Sequence, residues 1–159
     1  MQLRIKDIAL MGLMLAITIT LNAIESVFSP PPHFRLGLAN IVVMYAVFTI
    51  GRTQAICLNV LKALFVGLSR GFFAGLLSLS GGLISVAIII ILAKYKKNSY
   101  ASISVSAAVA HNLGQFAIVT LIMSTAGLIF YLPVLIISGI VTGLITGSLA
   151  KKLGDIRKH

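Results

Sequence analysis

The chain has 159 residues, of which 58% are hydrophobic and only 10% are charged. A soluble domain usually carries about 25% charged residues, so this composition argues against a soluble protein and predicts a single domain dissolved in lipid. The formal net charge of +10 can indicate nucleic-acid binding. Here most of the cations lie in short loops between apolar runs, which is the positive-inside pattern and argues against a nucleic-acid partner.

Six apolar runs follow one another along the chain, and a spanning helix needs about 20 such residues. The first run is longer than a signal-peptide core and lacks a small-residue cleavage site, so we interpret it as a retained membrane helix. Prolines 30–32, Gly51, Gly71 and Gly127 end successive runs. The second and third runs are short for a bilayer. We predict an all-α bundle of six transmembrane helices at 8–28, 34–50, 54–69, 72–93, 101–124 and 128–149.

The cations predict the orientation of these helices. Six crossings place only Arg35 and Arg70 on one side, and ten cations on the other. The positive-inside rule then makes the ten-cation side cytoplasmic, with both chain ends there, in the plasma membrane. The ten are Arg4, Lys6, Arg52, Lys94, Lys96, Lys97, Lys151, Lys152, Arg157 and Lys158.

Lys62, near the middle of the third helix, is the first candidate for ligand binding. A lysine at the centre of a membrane costs about 2.5–3.5 kcal/mol on insertion scales, so something should offset it. A structural ion pair with Glu25 is one explanation, and snorkelling to the surface is another. We favour a ligand anion, which can coexist with the Glu25 pair.

Other polar side chains gather in the middle and outer half of the predicted bundle. Asn40 lies roughly 9 Å from the outer end of the second helix, and Glu25 lies in the outer third of the first. In the fifth helix, His111 and Gln115 share one face, with Asn112 beside them. This asymmetry predicts a pocket that is open to the outside and closed toward the cytoplasm. A network between helices is the alternative for the fifth-helix residues.

Two arginines at the predicted outer end of the bundle and a glycine-containing stretch of the fourth helix are further candidates for ligand binding. Arg35 and Arg70 are either solvated anchors or attract an anionic ligand from outside. Ser80 and Gly81 lie in a glycine-containing stretch of the fourth helix, where either another helix or a ligand can approach closely. His111 has no carboxylate or thiol companion at ligand spacing, and the single Cys57 has none either, so we expect no metal and no cofactor.

The first helix carries small residues on its predicted cytoplasmic half. Ala9 precedes Gly12 and Ala16, which form a small-x-x-x-small pattern that permits close helix packing. Packing within the bundle and contact with a separate membrane subunit are both open at this point.

The residues 77–82 (LSLSGG) and 111–115 (HNLGQ) resemble the Gx transporter family, which is often labelled heptaprenyl diphosphate synthase component I. Six helices in under 200 residues also resemble the substrate-binding S components of energy-coupling factor (ECF) transporters. The resemblance covers roughly residues 8–153.

The resemblance implies that the protein binds a substrate outside with high affinity and delivers it with a shared membrane subunit and two ATPases. It implies that Ala9, Gly12 and Ala16 contact the shared subunit, although Gly12 stands where alanine is usual. It also implies a site that includes Arg70, Ser80 and residues 111–115.

The chemistry of the chain argues against an enzyme. A prenyl diphosphate synthase holds Mg²⁺ through clustered aspartates, but this chain has only Asp7, Glu25 and Asp155, far apart in sequence. It also lacks a phosphate-binding G-x-x-x-x-G-K-[ST] loop. We therefore expect an S component for a small, anionic vitamin, cofactor precursor or isoprenoid-like substrate. The alternatives are a non-catalytic accessory protein in polyprenyl diphosphate or quinone metabolism, and a small proton-coupled carrier.

Overall fold

The computed structural model describes residues 5–28, 39–95, 98–123 and 126–156. Within these ranges the chain forms six α-helices and no strand, so the all-helical prediction is confirmed there. The predicted helical residues 34–38 and Ser124 lie outside the described ranges. The helices are α1 (Ile5–Phe28), α2 (Ala39–Thr49), α3 (Arg52–Arg70), α4 (Phe72–Leu92), α5 (Tyr100–Met123) and α6 (Leu132–Ile156), with a 3₁₀ helix (Ala126–Tyr131) before α6.

Length and composition separate the helices into two groups. Four apolar segments of the described chain are long enough to cross a membrane: Ile5–Ile24, Phe72–Leu92, Tyr100–Ile122 and Ile129–Lys152. Helix α2 is apolar but has only 11 residues, or about 16 Å of helix, against roughly 30 Å of bilayer hydrocarbon. Helix α3 has 19 residues and contains Arg52, Lys62 and Arg70. A membrane protein is therefore supported, while crossing by α2 and α3 stays a prediction.

Two glycines make the sharp turns that the sequence predicts. Gly51 has φ 138° and Gly71 has φ 95°, both in the region that favours glycine because side chains with a Cβ are hindered there. Gly51 lies between α2 and α3, and Gly71 joins α3 to α4.

Successive helices pack against each other in opposite directions. In α3 and α4, Gly67 lies opposite Gly75, while Asn59 lies opposite Gly82. The same antiparallel pairing relates α4 to α5 and α5 to α6, and these three pairs have the most extensive contacts in the described bundle. One end of the bundle therefore carries Arg52, Lys94 and the Lys151–Lys152 pair, and the opposite end carries Arg70.

Helix α2 lies at the centre of the apolar core, where two clusters of buried side chains meet. One cluster joins α2 to α1, α3 and α4, and includes Met14, Val43 and Leu58. The other joins α2 to α4, α5 and α6, through Met44 and Ile89. A short helix can occupy this position because it is covered by protein on several sides.

Three glycines on one face of α6 bring its backbone close to α5. Gly139, Gly143 and Gly147 are four residues apart, so they form one stripe along the helix. A Cβ on Gly143 would lie 2.5 Å from the Val105 Cα, and one on Gly147 would lie 2.6 Å from the Ala101 Cα. Real side chains do not tolerate such distances, so this stripe sets the spacing of the two helices.

We expect Gly143→Leu to destabilise the protein by about 1–3 kcal/mol, because the added side chain must push α5 away from α6. The measurement is thermal unfolding of the purified protein in detergent. Ser148→Leu is the matched control, since Ser148 lies on the exposed face of the same helix. Equal unfolding temperatures for the two variants would contradict the assigned role of the glycine stripe.

Candidate functional site

The buried Lys62 side chain lies between α3 and α2. It faces the interior because the buried face of α3 also includes Ala55, Leu58 and Val66, and Lys62 itself is only 4% exposed. Its Nζ donates a hydrogen bond of 2.9 Å to Asn40 Oδ1. The structure thus brings together two predicted ligand-binding residues from different helices. The Glu25 side chain lies outside the described part, so its predicted pairing with Lys62 stays a prediction.

The polar residues of α5 contact two different helices. Asn112 contacts α6, whereas His111 and Gln115 lie against Gly81 of α4. Asn112 faces α6, where its Nδ2 donates to the Leu135 carbonyl at 2.8 Å and to Ser138 Oγ at 3.3 Å. His111 is 6% exposed, and its Nε2 lies 3.1 Å from Gln115 Nε2. That pair forms a hydrogen bond when His111 carries its proton on Nδ1. Asn112 is consistent with both predicted roles. Its bonds to α6 belong to a polar network between helices, and its position in the lining of a cavity is compatible with ligand contact.

Adjacent glycines in α4 allow polar side chains to approach from both sides. A Cβ on Gly81 would lie 2.7 Å from the His111 carbonyl oxygen and 2.8 Å from Gln115 Cγ. On the other side, a Cβ on Gly82 would overlap the side-chain amide of Asn59. In this conformation, side chains from α3 and α5 therefore occupy the space that these glycines leave.

A small cavity lies among α2, α4, α5 and α6. Its volume is about 20 Å³, enough for about one water molecule and far too small for an organic substrate. From Asn40 and Asn112 it extends toward the end of the bundle that carries Arg52 and Lys94. Its polar lining consists of Asn40, Ser85, Ser104, Asn112, Thr142 and Thr146. The outward-opening pocket stays a prediction, because residues 29–38 lie outside the described part.

Two other predicted ligand-binding residues, Arg70 and Ser80, do not line this cavity. Arg70 Nη2 donates to the Asn22 carbonyl at 2.6 Å, which ties the end of α3 to α1. The Ser80 hydroxyl donates to the Leu77 carbonyl of its own helix at 3.1 Å. Arg35 lies outside the described residues.

Several buried polar residues are not among the predicted site residues. Asn59 is 0% exposed, and among the described residues its amide nitrogen and oxygen have no hydrogen-bond partner. Its position three residues before Lys62, on the same helix face, was the signal that could have identified it. Four hydroxyl residues also line the cavity, and one of them, Thr142, donates to the Ser138 carbonyl of its own helix at 2.9 Å.

The small residues of α1 lie on the outside of the described bundle. Ala9, Gly12 and Ala16 are exposed, and no atom of the other described helices lies within 4 Å of a Cβ placed on Gly12. The opposite face of α1 carries the buried residues Met14 and Thr18. Of the two explanations that the sequence left open for this motif, packing within the bundle does not apply to the described part of the chain.

Comparison with known proteins adds one family. No curated protein and no solved structure matches the chain. The described residues also contain no group of three or more histidine, cysteine, aspartate or glutamate side chains that could hold a metal ion. A family model described as heptaprenyl diphosphate synthase component I matches residues 14–153, nearly the whole helical bundle. The chain, an all-helical membrane protein with a buried lysine at its centre, belongs to the heptaprenyl diphosphate synthase component I family.

Proposed function

We propose that this protein is the substrate-binding membrane subunit of an ATP-driven importer of the ECF type. It crosses the plasma membrane six times, with both ends in the cytoplasm, and captures a small anionic substrate from outside. The shared position of Arg52, Lys94, Lys151 and Lys152 at one end of the bundle supports this orientation.

The observation that carries the proposal is the buried Lys62–Asn40 pair. The Lys62 ammonium is held at 2.9 Å from Asn40 Oδ1, and Asn40 also lines the cavity with Asn112. Polar side chains inside a membrane bundle are costly and usually mark a site for a substrate or ion. A carboxylate or phosphate is the natural partner of a desolvated ammonium. The substrate class is therefore a small anionic vitamin, cofactor precursor or isoprenoid-like molecule.

Substrate binding at this cavity requires the surrounding helices to move apart. A volume of about 20 Å³ cannot hold even a small organic anion, so the helices around Asn40 and Asn112 must separate when substrate enters. A binding subunit that reorients during transport is consistent with such a change, because its substrate must be enclosed and later released.

The proposed partners are an energy-coupling membrane subunit and two ATPases. The exposed face of α1 supports this assignment, since Ala9, Gly12 and Ala16 offer a surface on which another helix can pack closely. In this arrangement the chain itself is not an enzyme and needs no cofactor, since ATP is hydrolysed by its partners.

A second candidate function follows from the name of the family. A non-catalytic membrane accessory to a polyprenyl diphosphate synthase would also bind anionic, isoprenoid-like molecules. The chain contains only Asp7, Glu25 and Asp155 as acidic residues, which cannot form the clustered magnesium site of a catalytic subunit. Synthase activity would then belong to a soluble partner enzyme.

We expect Lys62→Met to reduce anion binding by about tenfold or more, because it removes the charge while keeping the length of the side chain. The purified protein is equilibrated with a mixture of two carboxylates, orotate and benzoate, and two phosphates, uridine 5′-monophosphate and ribose 5-phosphate. The retained compounds are quantified by mass spectrometry. Lys151→Met, at an exposed cation, is the control. Unchanged retention by Lys62→Met would remove Lys62 from the site.

Bulky substitutions on α1 should weaken assembly with the partner subunits without affecting anion binding. We expect Gly12→Leu and Ala16→Leu to lower the yield of co-purified membrane subunit and ATPases, because a large side chain prevents close helix contact. Retention of the anion mixture should be unchanged. Ile17→Phe adds bulk at an exposed position beside this face and is the control. Complexes purified at full yield from both leucine variants would refute this partner surface.

Transport in reconstituted vesicles distinguishes the proposed functions. Vesicles that contain this chain alone should take up none of the four anions, since the chain has no means of using ATP. Uptake driven by a proton gradient in these vesicles would instead identify a coupled carrier. Failure to transport in the presence of the ATPases, together with stimulation of a prenyl diphosphate synthase, would identify the accessory protein.

A further inference from the structure

Asn59 is a buried polar residue whose side-chain amide makes no hydrogen bond in the described part of the chain. Its side chain is 0% exposed, and both its amide nitrogen and its amide oxygen lack a hydrogen-bond partner in the described part of the chain. Such a group loses its hydration and gains nothing in return, which destabilises the folded protein. Most buried amides in proteins are satisfied, as Asn112 is through Leu135 and Ser138.

The surroundings of Asn59 do not require an amide. Gly82 of α4 lies directly against it, and its missing Cβ makes room for the side chain. The N–H groups of a helix interior are already bonded within the helix, and no carbonyl of α4 accepts a hydrogen bond from Asn59 in the described part of the chain. An apolar side chain of similar length would fill the same space without the desolvation penalty.

The position of Asn59 relates it to the proposed anion site. It lies three residues before Lys62, so the two share the buried face of α3 and are separated by about 4.5 Å along the helix axis. An anionic group held by Lys62 would therefore place the rest of a small molecule within reach of Asn59. The Asn59 amide presents an acceptor and a donor side by side, which match a lactam, imide or carboxamide edge.

We infer that Asn59 is a specificity-determining residue that recognises a donor–acceptor edge of the substrate. The inference rests on the proposed function and narrows its substrate class to small anions that also carry a lactam, imide or carboxamide group. Because Asn59 is fully enclosed against Gly82, recognition requires α3 and α4 to separate as substrate enters. The unsatisfied amide favours that opening, since it gains partners only in the substrate-bound state.

Stability provides the first test, and it needs no ligand. Asn59→Leu is expected to raise the unfolding temperature by about 2–4 °C, because it removes an unsatisfied buried amide. Asn59→Val is examined in parallel, since it is smaller and avoids crowding against Gly82. The matched control is Asn112→Leu, which breaks two interhelical hydrogen bonds and should lower the unfolding temperature. If both Asn59 variants unfold earlier than the wild type, the amide is structural and the inference is wrong.

Binding provides the second test, with the same four-compound mixture. Orotate and uridine 5′-monophosphate carry an imide edge, whereas benzoate and ribose 5-phosphate have comparable anionic groups without one. The wild type is expected to retain the imide-bearing member of each pair about tenfold better. The Asn59 variants should lose that preference and still retain anions.

The outcomes separate this inference from the proposed function. Retention of no anion by the wild type would contradict the proposed function itself. Retention of all four anions without preference, or a preference that survives in both Asn59 variants, would overturn the role of Asn59 while leaving anion capture by Lys62 intact.

Discussion

Burial of the Lys62 ammonium in an apolar bundle is the constraint on which the rest of the structure depends. Lipid offers no water to solvate a charge, so hydrogen-bonding groups must come from the protein or from a ligand. The Asn40 oxygen, 2.9 Å from Lys62 Nζ, is supplied by α2. The described part of this helix is only 11 residues long, and it lies where the two apolar clusters of the core meet. Its central position places an amide beside the lysine and connects the lysine to the cavity.

Glycine determines how closely the other helices approach this centre. Gly81 and Gly82 expose the backbone of α4 to His111 on one side and to Asn59 on the other. The stripe on α6 holds that helix against α5 in the same way. Close packing leaves a cavity of about 20 Å³, so the described conformation is closed around the polar residues. In the proposed function, substrate entry separates the helices around these polar residues, and the Asn59 amide, which has no hydrogen-bond partner in the described part of the chain, lowers the free-energy cost of that separation.

Helix α1 carries small residues on a face that has no partner in the described bundle. Met14 and Thr18 point inward, and Ala9, Gly12 and Ala16 point outward. Large apolar side chains are the usual lipid-facing residues of a membrane helix, whereas small residues allow another helix to approach closely. In the proposed function, the exposed small residues of α1 are where the membrane partner packs.

The sequence by itself determined the helical fold, the turns at Gly51 and Gly71, the family and the position of Lys62 in the middle of the third helix. The helices and the position of Lys62 follow from composition, the lengths of the apolar runs and the cost of charge in lipid, and the turns follow from glycine. The family follows from the resemblance of residues 77–82 and 111–115 to known sequences. Only the tertiary structure decided that Asn40 is a partner of Lys62, that Asn112 bonds to α6, and that Asn59 faces Gly82 without a hydrogen bond. Each of these contacts joins residues on different helices, and their pairing depends on helix rotation and spacing. Helix rotation and spacing are set by glycine packing between helices, and the sequence pattern along a single helix does not specify which residues of another helix it will meet.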